Sequence, residues 1–170
     1  MATATKNATT VASVILVAKL DRINVYENMD GIRYRFVFNK TFAAYRRNDD
    51  GTNVLAEANY IDFMPNVAIA QLINCMPELA DIHVDAREKA LRNGVSGGLS
   101  AAQLQILCRG AEFTIQRSQF AAGDPYTTFD GQAAVHEHDG ISSNIVSVKL
   151  NERQAKMLEE MQMRLLMSQL

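Results

Sequence analysis

The sequence predicts a mainly β fold with a helical insertion, of the α+β class, and three observations carry that expectation. Residues 31–47, G-I-R-Y-R-F-V-F-N-K-T-F-A-A-Y-R-R, alternate with the two-residue period of a strand. Turn chemistry brackets them, N-M-D-G at 28–31 and N-D-D-G at 48–51. Apolar spacing then becomes helical across residues 65–107, and alternation returns beyond Gly110.

The elements follow in order. Residues 1–10, small and polar, read as a disordered N-terminal arm. Residues 11–20 are β-rich and apolar on both faces, as a central strand is. In the second strand Ile32, Tyr34, Phe36 and Phe38 share one face, expected to pack in the core, while Arg33, Arg35, Val37 and Asn39 share the other. Asp50-Gly51 tolerates the positive φ of a tight hairpin, which leads into a third strand over 54–63. Three strands joined by short turns make a meander. Helical spacing marks 65–76, and Pro77 suits the first turn of a second helix through Arg92, with Gly94 as its stop. After the break at 94–98, Ser100 and Gln103 form the capping box of a third helix. Ala111, Phe113 and Ile115 then alternate with polar residues as a fourth strand. Residues 121–143 read as a long polar loop or irregular hairpin, and 144–150 as a last strand with Val146, Val148 and Leu150 inward. Asn151 caps an amphipathic helix over 151–170 whose apolar stripe is Met157, Leu158, Met161 and Leu165.

The domain organisation is therefore an arm (1–10), a β domain (11–150) with a helical insertion at about 65–108, and a C-terminal helix (151–170). Five strands with helices between the third and fourth is the order of a five-stranded OB-fold-like barrel. Other α+β arrangements of an antiparallel sheet share the same string.

At 170 residues and 48% hydrophobic, the chain has length for a sizeable core. No apolar run reaches the roughly 20 residues of a membrane helix, and the N-terminus lacks the apolar core of a signal peptide. Cys75 and Cys108 lie in apolar, helix-like stretches, as buried thiols of a reducing compartment do. A cytoplasmic location is expected, in the bacterial host if the protein is phage-encoded. The chain is near neutral, with 17 Lys and Arg against 19 Asp and Glu. Residues 1–47 nevertheless carry eight cations and three acids, leaving nine and sixteen for the remainder. Such a protein presents one positive face without coating nucleic acid indiscriminately.

The cations of that basic third (Arg33, Arg35, Lys40, Arg46 and Arg47) lie around Tyr45. Charge for phosphates beside ring faces for bases is what a single-stranded nucleic acid requires. With no tryptophan present, stacking falls to Tyr, Phe and Arg.

Two further stretches extend the pattern. I-L-V-A-K-L-D-R-I (15–23) is an apolar run ending in cations, and R-G-A-E-F-T-I-Q-R (109–117) leads from a helix through glycine into a strand. With F-V-F-N-K-T-F-A-A-Y-R-R-N-D-D-G (36–51), Y-T-T-F-D-G-Q (126–132) and S-N-I-V-S-V-K-L (143–150), the chain resembles bacterial and phage single-stranded DNA-binding proteins over roughly residues 11–150. A helical region longer than one helix, the lack of tryptophan and a non-acidic C-terminus suit a phage or mobile-element relative. The resemblance implies binding without catalysis in DNA replication or recombination. Arg33, Arg35, Lys40, Arg46 and Arg47 would contact phosphates, and Tyr45, Phe42 and Phe63 would stack on bases. Arg117, Phe120 and Tyr126 on the long hairpin form a second set. About five phosphate contacts at roughly −0.7 each predict a salt slope of about −3 to −4.

The methionines and leucines of the C-terminal helix exceed one narrow stripe, so a homo-oligomer through that helix is expected. No catalysis is expected. His136-Glu137-His138 falls short of a metal-ligand spacing, Asp49-Asp50 and Glu159-Glu160 read as turn and surface charges, and no phosphate loop or nucleophile elbow occurs. Neither a cofactor nor a small-molecule substrate is implied. The alternative reading is a structural or assembly protein, a virion component or adaptor, with no nucleic-acid role.

Overall fold

A computed structural model of the chain describes residues 13–128 and 130–170. The arm expected over 1–10 lies outside the described residues. The strands are β1 (Ser13–Asn28), β2 (Gly31–Arg47), β3 (Asn53–Phe63), β4 (Glu112–Phe120), β5 (Pro125–Thr127), β6 (Ala133–Val135) and β7 (Gly140–Lys149). Helices α1 (Pro65–Cys75), α2 (Leu79–Arg92) and α3 (Ala101–Cys108) stand between β3 and β4, and α4 (Glu152–Ser168) follows β7. The chain is thus mainly β with a helical insertion, as the alternation and the change of period imply.

Five strands form one antiparallel sheet in the order β3-β2-β1-β4-β7, and β5 pairs with β6 as a separate hairpin. β1 runs eight residues past the expected strand because it serves two neighbours. Its first half, Ser13 to Lys19, pairs with β4, and its second half, Leu20 to Asn28, pairs with β2. The register shifts between Leu20 and Arg22, and such a bulge lets one strand bend from one partner to the next. The expected Asp-Gly turn closes β2 onto β3 with Gly51 at φ 87°. The two end strands, β3 and β7, do not pair with each other, so the sheet is not closed into a barrel.

Beside that opening, the helical insertion caps β7 at Asn144 and Ile145. Gln71 of α1 accepts the Ile145 amide (2.8 Å), its own amide donates to Asn144 Oδ1 (3.3 Å), and the Cys75 thiol faces the Ile145 carbonyl at 3.6 Å. A helix side chain thereby satisfies an edge that a neighbouring strand would otherwise take. Gln105 of α3 likewise accepts the Ile23 amide (2.9 Å), and buried Gln154 of α4 donates to the Arg109 carbonyl. The expected capping box is formed at Ser100 with Gln103, and the expected cap Asn151 forms a second one with Gln154.

The core lies between one sheet face and the helices. Phe36, Phe38 and Phe113 are buried and meet edge to face, with Phe36–Phe113 at 6.1 Å and Phe38–Phe113 at 5.7 Å between ring centroids. Leu72, Leu79, Leu104 and Leu107 close over them. Phe36 and Phe38 of β2 therefore pack inward as the alternation implies, with Tyr34 partly buried at the margin, whereas Ile32, expected on the same core face, is exposed near the strand's start.

Two local expectations are corrected. Pro77 precedes α2 instead of sitting in its first turn; Glu78 is the N-cap. Val146 is exposed and Ile145 is buried, because Thr114 pairs with Ser147 while Ile115 pairs with Ile145. The extra residue bulges out and reverses the alternation beyond it. The polar stretch 121–143 holds the β5–β6 hairpin and the start of β7.

Candidate nucleic-acid interface

The solvent face of β1–β3 carries the most ordered group of polar and aromatic side chains. Arg35 on β2 stands opposite Asn24 of β1 and Asp62 of β3. The diagonal neighbours are Tyr26 and Tyr60, two residues along each flanking strand, and diagonal positions are within reach of long side chains. The guanidinium carbon of Arg35 lies 4.2 Å from the Tyr26 ring centroid and 4.0 Å from that of Tyr60. Its Nε and one terminal nitrogen donate to the two carboxylate oxygens of Asp62, at 2.8 and 2.9 Å. These bonds hold the Arg35 pKa above its usual value, against the opposing effect of burial. Tyrosine, guanidinium and tyrosine thus form a cross-strand ladder with its charge locally balanced and both rings exposed.

That arrangement corrects the expectation for Arg35, which is not a free phosphate contact. Lys40 is engaged as well, its ammonium donating to the Val17 carbonyl (2.7 Å). Among the described residues the Arg33 side chain donates only to the carbonyl of its neighbour Ile32 (3.0 Å). Arg46 and Arg47, at the far end of β2, are exposed and form no ion pair among the described residues. Tyr45 beside them is half-buried.

Phe63 and Phe42 do not present free rings. Phe63 is in the core, edge-on to Phe36 at 5.2 Å. Phe42 lies beneath Arg117, whose guanidinium carbon sits 4.6 Å from its ring centroid. Arg117 is itself buried, with 6% of its surface exposed. It donates to the Ala43 carbonyl of β2 and to Ser143 Oγ of β7 (3.2 Å), tying β4 to both of those strands. Burial lowers its pKa, and its carbonyl and ring partners hold a cation that is unavailable to a ligand.

The second expected set is organised around a residue outside it. His136 stacks between Phe120 (ring centroids 3.6 Å apart, 14° between planes) and Tyr126 (4.1 Å, 20°). Phe120 is backed by Gly140, where an added Cβ would lie 2.4 Å from Phe120 Cζ. The His136 amide donates to the Asp124 carbonyl (2.9 Å) and the Gly123 amide to the His136 carbonyl (2.7 Å), so the stack stands on a closed hairpin. Tyr126 leaves 40% of its surface exposed at the end of the stack.

Among the described residues, no group of three or more His, Cys, Asp and Glu side chains is placed to hold a metal, and no helix is long and apolar enough to cross a membrane. Sequence reasoning missed Tyr26, Tyr60 and the stacking of His136. No local signal marks the two tyrosines, since only the β1–β2–β3 register brings them to Arg35.

The chain matches no protein-family model and no curated protein.

Proposed function

We propose that this protein binds single-stranded DNA without catalysis, along the solvent face of β1–β3. The observation that carries this reading is the Tyr26–Arg35–Tyr60 ladder, two exposed tyrosine rings fixed on a sheet by a paired arginine. Rings held in this way offer base faces at low entropic cost, and each base stacked on one contributes about 1–3 kcal/mol. Arg33, Arg46 and Arg47 supply the phosphate contacts, with Tyr126 a further stacking surface on the β5–β6 side. The strand order β3-β2-β1-β4-β7, with helices between β3 and β4, suits an OB-fold-like barrel opened between its end strands. The resemblance to single-stranded DNA-binding proteins supports the same reading. This binding would serve replication or recombination of a phage or mobile element in a bacterial cytoplasm.

Self-association through α4 belongs to the proposal. Met163, Leu166, Met167 and Leu170 follow the i, i+3, i+4, i+7 spacing and are all more than half exposed. A second copy seated on that stripe would link two modest sites and raise the avidity for a long strand. Replacing Met163 and Met167 by Gln is expected to reduce the mass seen by light scattering and to weaken binding to long oligonucleotides more than to short ones. An unchanged mass removes this part of the reading.

The deciding experiment is fluorescence anisotropy with labelled oligo-dT and, in parallel, duplex DNA. Preferential binding of oligo-dT that falls at least tenfold in the Tyr26→Ala/Tyr60→Ala variant is expected. Equal affinity for duplex, or an unaffected variant, refutes the proposal. The same α4 stripe favours the assembly-protein reading, which an oligomer with no oligonucleotide binding would select.

A further inference from the structure

A groove of about 540 Å³ runs where β3 and β7 fail to pair. One wall is the free edge of β3, and the other is the segment that follows His136 into β7. Among the described residues each strand has one partner only, β2 for β3 and β4 for β7, so the β3 backbone facing the groove has no ladder of its own there. The covering helix α1 caps β7 at Ile145 and is not among the elements lining this opening. Small residues keep the walls low: Ala44, Ala56 and Ala58 on one side, Gly140 on the other. One end is bounded where Asn53 Nδ2 donates to the Asp139 carbonyl at 2.8 Å.

The charge of the groove differs from that of the β1–β3 face. Glu57 lies on the β3 wall and Glu137 and Asp139 on the other. Asp139 receives the Ala122 amide (2.9 Å), while Glu57 and Glu137 form no ion pair among the described residues. Asp62 is held by Arg35, and Arg117 by the Ala43 carbonyl, which among the described residues leaves Arg46 as the one lining cation outside such a contact. Carboxylates on both walls repel a phosphate backbone and attract a cationic chain.

We propose that this groove takes an extended peptide with basic side chains, added as a strand to the free edge of β3. Main-chain hydrogen bonds to an open edge supply the affinity, and the carboxylates of the two walls select the charge. The groove borders the nucleic-acid face and shares Arg46, Tyr60 and Asp62 with it, whereas Glu57 and Glu137 belong to the groove alone, so each proposal is tested by its own variant.

The test uses the full chain and fluorescein-labelled ten-residue probes. Alternating Lys-Thr is the candidate ligand, alternating Glu-Thr reverses the charge, and alternating Lys-Pro keeps the charge but cannot form a strand ladder. The Lys-Thr peptide is expected to bind at least tenfold more tightly than either control and to slow amide hydrogen exchange across residues 53–62. The Glu57→Gln/Glu137→Gln variant, with unchanged thermal melting, is expected to lose at least fivefold. Equal binding of Lys-Pro reduces the effect to bulk charge and overturns the proposal, as does an unaffected variant or absent protection of β3. Protection of β3 that rises with protein concentration when no peptide is added assigns the edge to a second copy instead, and also overturns it.

Discussion

Raising the salt concentration tenfold, from about 20 to about 200 mM, is expected to weaken oligo-dT binding by roughly a hundredfold, a number that follows from counting the cations the fold leaves available. Of the five on β2, Arg35 is clamped by Asp62 and Lys40 is bonded to the Val17 carbonyl. Arg33, Arg46 and Arg47 remain. Three contacts at about −0.7 each set a slope near −2, shallower than the −3 to −4 that all five would produce. Removing two of the three, in the Arg46→Ala/Arg47→Ala variant, lowers the slope to about −0.7 and the tenfold salt effect to roughly fivefold. The assay is anisotropy of labelled oligo-dT across that salt range for both proteins. A slope near zero in the parent, or an unchanged slope in the double variant, refutes the assignment of phosphate contacts. A slope near −4 refutes the narrower argument that Arg35 and Lys40 are engaged within the protein.

Other expectations concern the scaffold. Phe36→Ala removes a fully buried ring that meets Phe63 and Phe113 edge to face, and is expected to cost about 3–5 kcal/mol in denaturant unfolding; a loss under about 1 kcal/mol contradicts the packing described. Gly140→Ala places a methyl group where Phe120 Cζ lies, so it is expected to displace Phe120 from His136 and remove the ring-current shift of the His136 protons in NMR spectra; an unchanged shift argues against the stack. His83 accepts the Leu99 amide at Nδ1 (3.2 Å), and its pKa is lowered by burial and then by Arg87. The unfolded chain therefore takes up this proton first, so the His83 contribution is whole above the unfolded value of about 6.5 and is lost as pH falls through the folded value. His83→Asn retains an acceptor that does not titrate, and its stability is expected to vary less than the parent's between pH 7 and 5. Parallel curves refute that reading.

Strand period, turn residues and capping boxes are properties of neighbours in the chain, and they were legible for that reason. Alternation in 31–47 sends Phe36 and Phe38 inward, Asp50-Gly51 turns β2 into β3, and Ser100 with Gln103 starts α3, each through contacts spanning a few residues. Bulges are not legible in this way: alternation alone sends Val146 inward, and an extra residue in β7 can be recognised only against its partner β4.

The candidate site divides in the same way. An arginine-bearing side of β2 follows from the alternation of side chains, which is a matter of local backbone geometry. Whether each cation is available depends on groups far along the chain: Asp62 lies 27 residues from Arg35, Val17 lies 23 from Lys40, and Ala43 lies 74 from Arg117. Strand order decides which of those groups arrive, and a one-residue shift of register would exchange them all. Composition and period determined that this chain builds a β scaffold with a cationic side. Tertiary pairing decided that Tyr26 and Tyr60 flank Arg35, that Phe63 and Arg117 are interior with Phe42 half-buried beneath the arginine, and that β3 keeps an edge open among the described residues, because those outcomes are set by partners that only the folded chain brings together.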